Sequence, residues 1–292
     1  MNQFEELFQK YNCDLKDEQV QQEVQRILAD KFAENNTPEV YKTCLSLIDL
    51  TSLNGTDTDE QIEAMTAKVN DFQKNYPGLP NVGAICVYPS MVHVVKNNLQ
   101  PKIGIASVAA GFPASQTFIE VKVAETSMAV MEGASEIDVV ISIGKFLSGR
   151  YDEVREELQE IKAACRGSHL KVILESGALQ SASNIKKASV LSMSAGADFI
   201  KTSTGKIPVA ATPEATYIMC TAIRDWHEKT GDKIGYKPAG GIVTTEDAVK
   251  HYTIVKEILG EEWLNNKLFR IGASRLANNL LTDITGKEVK YF

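Results

Sequence analysis

Two lysines stand where a charged amine is hard to keep. Lys201 follows Phe199 and Ile200 in the apolar run 198–202, and the hydroxyl residues Thr202, Ser203 and Thr204 come at or just after its end. Lys237 closes a second apolar run, 234–238, ahead of Ala239, Gly240 and Gly241. An ammonium held among apolar walls loses hydration, so its pKa falls and a neutral, nucleophilic amine becomes available. A second cation close by would push it further the same way. The chemistry this prepares is attack on a carbonyl to give a Schiff base. Lys201 has the more apolar surroundings and is the expected nucleophile, with Lys237 as its charged neighbour and an aid to proton transfer. A Schiff-base reaction also needs a group to move protons, and Asp138, set in the apolar run 136–142, is the best candidate. Its structural alternative is simple charge balance for the lysines. Glu175 is a weaker candidate for the same role.

Three small-residue loops suggest where the far end of a substrate sits. They are Thr204-Gly-Lys206, Pro238-Ala-Gly-Gly-Ile242 and Arg270-Ile-Gly-Ala-Ser-Arg275. Glycines let backbone amides approach an anion closely, and Ser274 adds a hydroxyl at the start of a helix. The expected phosphate contacts are Gly205, Lys206, Gly240, Gly241, Gly272 and Ser274. Cys86 has no histidine nearby in sequence to activate it and is expected in the pocket wall.

The elements that must position these groups repeat from residue 44 onward as apolar strand, turn and amphipathic helix. Strands are predicted at 46–50, 83–88, 103–109, 136–142, 170–175, 198–202, 234–238 and 268–272. Helical periodicity fills 58–75, 89–99, 115–132, 151–165, 182–195, 213–229, 245–259 and 274–281. Eight such units predict an α/β fold, a single (β/α)8 TIM barrel, and the lack of G-x-G-x-x-G after the first strand speaks against a dinucleotide fold. In this fold active-site groups come from the C-terminal strand ends, here Asp49, Thr51, Cys86, Asp138, Glu175, Lys201 and Lys237. Neighbouring strands lie about 4.8 Å apart, which brings two inward lysines on strands 6 and 7 close together. Residues 1–43 read as an N-terminal helical extension, either a cap on one barrel end or a subunit contact, with Thr37-Pro38 opening its last helix. Residues 44–285 form the barrel and 286–292 a C-terminal tail.

At 292 residues and 43% hydrophobic content the chain suits one large core, and a net charge of -7 without a basic block argues against nucleic acid. Five cysteines without C-x-x-C suit a reducing cytoplasm, and four scattered histidines predict no metal site. No apolar run approaches a membrane span, so neither membrane insertion nor a secretory signal is expected.

Across residues 44–281 the chain resembles the class I deoxyribose-phosphate aldolases. The resemblance rests on Leu47-Ile-Asp-Leu-Thr51, Ala84-Ile-Cys-Val-Tyr-Pro89, Glu136-Ile-Asp-Val-Val140, Leu170-Lys-Val-Ile-Leu-Glu175, Ala197 through Lys206, Lys237-Pro-Ala-Gly-Gly241 and Phe269-Arg-Ile-Gly-Ala-Ser274. It implies cleavage of 2-deoxy-D-ribose 5-phosphate to acetaldehyde and D-glyceraldehyde 3-phosphate, without metal or organic cofactor. It further implies Schiff-base formation at Lys201, proton relay at Asp138 and pKa tuning by Lys237, with Asp49, Thr51, Cys86 and Thr202 near the reacting end. The implied partners are phosphosugars and aldehydes; apart from the resemblance, a homo-oligomer is expected, a dimer before any larger assembly. Three departures stand out. The leading segment of some 40 residues is longer than in the shorter members, so their subunit arrangement is not carried over. Arg275 occupies a position where many members carry a small hydroxyl residue, and Tyr291 precedes Phe292 where some members end on a tyrosine that assists proton transfer. Two alternatives stay open: a Schiff-base barrel acting on a larger ketose, and a phosphosugar-binding barrel without catalysis.

Overall fold

In the computed structural model, which describes residues 3–292, eight strands alternate with helices. The strands are β1 (Ile48–Thr51), β2 (Ala84–Val87), β3 (Gly104–Ala109), β4 (Glu136–Val140), β5 (His169–Ile173), β6 (Phe199–Lys201), β7 (Gly235–Lys237) and β8 (Ile271–Ala273). Each pairs in parallel with the next from β1 to β7, and β8 returns to pair with β1. The seam between β7 and β8 is closed by parallel bridges at Tyr236–Phe269 and Ala239–Gly272. The Gly272 N–H donates to the Pro238 carbonyl at 2.9 Å across it. This is a TIM barrel, as the repeat predicts. Parallel strands covered by helices are buried on both faces, which is why their sequences are near-continuous apolar runs.

The helices are α1 (Gln3–Lys10), α2 (Asp17–Asn35), α3 (Pro38–Ser46), α4 (Asp59–Asn75), α5 (Val92–Asn98) and α6 (Ile119–Glu132). They continue with α7 (Ile143–Leu147), α8 (Tyr151–Ala164), α9 (Ala182–Ser194), α10 (Pro213–Thr230), α11 (Thr245–Leu259) and α12 (Leu276–Thr285). Threonine side chains accept backbone N–H bonds at the starts of α3, α4, α10 and α11, satisfying donors that a helix cannot pair internally.

Several boundaries differ from expectation. The first strand begins at Ile48 because α3 runs through Ser46 and the Leu47 N–H still bonds back to the Cys44 carbonyl. The third barrel helix opens at Ile119, not 115, since Ser115 sits in the left-handed region at φ 57°. Helix α7 is unforeseen, its five residues being too short to carry a period. Met1 and Asn2 of the expected extension lie outside the described residues.

The extension does not lie across a barrel end. Phe4 and Phe8 of α1 pack on Tyr151 of α8, and Tyr11 stacks on Trp226 of α10 at 5.2 Å. Asp17 accepts the Ala182 N–H at the start of α9, while Asn35 at the other end of α2 meets Lys256 near the end of α11. Helix α2 therefore runs the height of the barrel along its outer helices.

Inside, the two-residue period aims alternate side chains at the axis. Phe199 fills the floor beneath Lys201, and Gly235 beside it is glycine because a Cβ there would overlap the Phe199 ring. On the far side of the interior, Cys86, Ala106 and Val108 form an apolar wall with Leu53.

Candidate active site

Lys201 and Lys237 are register partners on β6 and β7, and both are almost completely buried. Their ammonium nitrogens donate to one oxygen, Asp138 Oδ2, at 2.7 and 2.8 Å. The two nitrogens cannot lie farther apart than those two bonds laid end to end. Lys237 also pairs with Asp49 Oδ2 at 2.5 Å.

Below this the charges continue. Arg270 donates to Asp49 Oδ1 at 2.7 Å and to Glu136 Oε1 at 2.8 Å. Lys171 bonds Glu136, and its Nζ stands 3.5 Å from Asp138 Oδ1 and 3.8 Å from Asp49 Oδ2. Four basic side chains thus share three carboxyls in the barrel interior. The set balances when one amine is neutral, and low dielectric makes an unbalanced buried charge expensive.

The amine best placed to be neutral is Lys201. Burial is the largest influence and pushes its pKa below the ordinary lysine value; Asp138 draws it back up, and Lys237 pushes it down again. Desolvation therefore outranks the charged neighbour, in the order the sequence suggests. For Lys237 burial is outweighed by Asp138 and Asp49, which hold its pKa above the ordinary value and keep it an ammonium. Burial also disfavours the charged forms of Asp138 and Asp49, but the surrounding cations overcome it and hold both carboxyls below their usual range.

Above the lysines opens a cavity of about 510 Å³. Lys201 forms part of its wall, together with Thr51, Gly205, Lys206, Gly240 and Gly241. Gly272, Ser274 and Arg275 complete the side fed by β8. Asp49, Asp138 and Lys237 lie beneath the cavity, within the ion-pair network and outside its wall. Gly240 must be glycine: its φ is +84°, and a Cβ would come within 2.8 Å of the Gly205 Cα.

Other expected contacts are occupied elsewhere. Cys86 is fully buried in the apolar interior wall, its thiol pKa raised by burial, and it does not line the cavity. The Thr202 hydroxyl donates to the Ala239 carbonyl and accepts the Ala239 N–H, so it ties two loops together below the cavity surface. Thr51 donates its hydroxyl to the Asp49 carbonyl. Glu175 accepts from both the Thr204 N–H and hydroxyl and so holds the β6 loop. The Tyr291 hydroxyl donates to the Lys68 carbonyl on α4 at 2.6 Å, whereas Phe292 borders the cavity.

A sequence profile of the DeoC/LacD family of aldolases matches residues 43–258. The chain belongs to that family. This DeoC/LacD aldolase, a lyase, is 43% identical over 263 residues to the deoxyribose-phosphate aldolase of Homo sapiens, covering 85% of this chain and 82% of the relative. It is 42% identical to the Mus musculus enzyme of the same name over the same shares. A solved aldolase with 30% identity superposes with a TM-score of 0.66, covering 82% of this chain and 96% of the other. The deoxyribose phosphate aldolase of Aeropyrum pernix, described as a tetramer, shares the fold at 24% identity and TM-score 0.66, covering 87% and 97%.

Sequence reasoning missed three members of the DeoC/LacD aldolase's charged interior: Glu136, Lys171 and Arg270. All lie at or before the midpoints of their strands, away from the C-terminal strand ends where the chemistry of this fold is expected. The signal was available in Glu136 and Asp138, two apart and so on one face, and in single cations inserted into the apolar runs at 171 and 270.

Proposed function

We propose that this protein cleaves 2-deoxy-D-ribose 5-phosphate reversibly to acetaldehyde and D-glyceraldehyde 3-phosphate through a Schiff base on Lys201. The observation that carries this is a buried amine with a lowered pKa in the wall of a cavity, bonded to Asp138 and beside the ammonium of Lys237. Neutral Lys201 adds to C1 of the open-chain aldehyde, and loss of water leaves an iminium. The C2–C3 bond then breaks, its electron pair passing into the iminium to form an enamine, while the C3 hydroxyl gives up its proton. Protonation of the enamine at C2 and hydrolysis release acetaldehyde and free the lysine. Asp138 relays protons at the carbinolamine and at C2, and the charge on Lys237 keeps Asp138 ionised and Lys201 easier to deprotonate. The phosphate end lies among Gly205, Lys206, Gly240, Gly241, Gly272 and Ser274, where binding energy remote from the broken bond aligns the sugar. Neither a metal nor an organic cofactor takes part in these steps.

The five cysteines are unpaired and buried, which supports a reducing, cytoplasmic setting. Among the described residues no helix is long and apolar enough to cross a membrane. The exposed apolar side chains of Phe118, Met128 and Met131, at the start and along α6, support a homo-oligomer, a dimer first.

Borohydride reduction in the presence of acetaldehyde tests the nucleophile and the intermediate together. The expected product is an ethyl adduct on the peptide bearing Lys201, lost with all turnover in Lys201→Leu. Normal cleavage by that variant, or an adduct on another lysine, overturns the assignment.

A further inference from the structure

Below Lys201 and Lys237 the barrel interior carries charge, where this fold ordinarily stacks branched apolar side chains. Arg270 precedes β8 and Glu136 opens β4, strands on opposite sides of the eight-stranded ring. The guanidinium nonetheless crosses the axis to donate to Glu136 Oε1 at 2.8 Å and Oε2 at 3.3 Å. The neighbouring strand makes room for the pair: a Cβ on Gly104 of β3 would come within 2.6 Å of Glu136 Oε1. Burying such a pair costs desolvation, and well-packed apolar residues in its place are often neutral or stabilising, so packing does not account for it. Its connections do. Arg270 also donates to Asp49 Oδ1 at 2.7 Å, which leaves Asp49 Oδ2 for Lys237 at 2.5 Å, and Lys237 donates in turn to Asp138. With every group ionised, the four basic side chains exceed the three carboxyls by one charge, which a neutral Lys201 removes.

We infer that Arg270 and Glu136 are positioning residues of the reaction: Arg270 holds Asp49 against Lys237, and the pair sets the interior charge balance that leaves Lys201 as the free amine. The inference rests on Lys201 being the nucleophile proposed above, and it extends control of that amine from Lys237 to a pair deeper in the barrel. Removing Arg270 leaves as many carboxyls as cations, so the balance is met with every amine protonated and Lys201 keeps its proton to higher pH. Removing the charge of Glu136 enlarges the positive excess, and Lys201 gives up its proton at lower pH. Removing both restores the excess of the wild type. Facing Lys201 itself are Asp138 of β4, Lys237 of β7 and Cys86 of β2. Asp49 and Lys171 stand behind them, and Lys206 and Arg275 line the cavity above. All of these stay in place in the substitutions that follow.

The test records kcat/KM for 2-deoxyribose 5-phosphate against pH in the wild type, Arg270→Met, Glu136→Gln, the double variant and Arg270→Lys. The borohydride-trapped acetaldehyde adduct on Lys201 is measured in each. The acidic limb is expected to move to higher pH in Arg270→Met and to lower pH in Glu136→Gln, by roughly one pH unit each. The double variant should return it to the wild-type position, and Arg270→Lys, which keeps the charge, should leave it there. Lost packing alone would not move the limb in opposite directions, nor would a second substitution repair it. If Arg270→Met fails to fold, the limbs of Glu136→Gln and the double variant still decide, since only the first is expected to move. Limbs that coincide with the wild type in Glu136→Gln, or that shift the same way in both single variants, overturn the inference, while a Lys201 adduct in each variant leaves the proposed reaction standing. A wild type without that adduct removes the nucleophile, and the inference with it.

Discussion

Asp138 Oδ2 takes hydrogen bonds from two lysines, and the environment treats those lysines oppositely. Lys201 borders the cavity and has one carboxylate partner; Lys237 is sealed beneath it with two. On the proposed mechanism, that asymmetry separates the nucleophile from the permanent cation. Replacing Lys237 by leucine would remove one influence that lowers the Lys201 pKa and free Asp138 to stabilise the ammonium form. The Lys201 pKa should therefore rise, and the acidic limb of the kcat/KM–pH profile should move to higher pH. Below that limb, each pH unit of movement removes about tenfold of the rate near neutrality. An unmoved profile would show that Lys237 does not tune the amine. Lys201, Asp138 and Lys237 were legible in the chain because charged groups at the ends of apolar strands are conspicuous. The fate of Thr202 was not, since its hydroxyl is taken up by Ala239, a residue it meets only when two loops fold together.

Among elements, the extension is the one that packs outside the barrel's own ring of helices. Its contacts with the rest of the chain include the aromatic pairs of Phe4 and Phe8 on Tyr151 and Tyr11 on Trp226, and one of its polar anchors is Asp17 at the start of α9. A helix start carries N–H groups without internal partners, and losing a carboxylate acceptor there costs about 1 kcal/mol. Asp17→Ala should lower stability by about that amount in urea titration while leaving kcat/KM unchanged, because α9 lies outside the cavity wall. No loss of stability would mean that the extension is not coupled to the barrel through this bond. The eight strands were legible from their apolar runs, but their ends were not: the first starts late because the α3 C-terminus continues into Leu47. Periodicity locates a segment, whereas hydrogen bonding to neighbours decides its last residue.

For the molecule as a whole, acid is the condition most revealing of what holds it together. His251 of α11 is buried, its Nδ1 lying 2.6 Å from the Thr216 hydroxyl oxygen, which also accepts from the Tyr236 hydroxyl at 2.8 Å. Burial pushes the His251 pKa down to about 4 from 6.5, with Asp247 opposing and Lys250 adding. Between those two values the unfolded chain binds a proton that the native state refuses, so stability falls as pH is lowered through the window. The full effect is about 3 kcal/mol and ends once the native imidazole also protonates. His251→Asn should flatten the dependence of unfolding free energy on pH in this range. Retention of the full slope would assign it to other groups. Asp49 and Asp138 add a separate loss at lower pH: their folded pKa values are depressed, so the stability they contribute is present above the ordinary carboxyl range and disappears as pH drops through their folded values.

Local pattern was sufficient for the barrel, the nucleophile candidate and the glycine loops, because apolar runs, misplaced charges and glycine clusters are written residue by residue. The shared oxygen between two lysines, the run of ion pairs down to Arg270 and Lys171, and the sealing of Cys86 away from the cavity depend on which side chains meet across the axis. Coulomb interactions and desolvation act through space, so groups such as Asp49 and Arg270, 221 positions apart in the chain, acquire their electrostatic character only when closure of the barrel brings them within bonding distance.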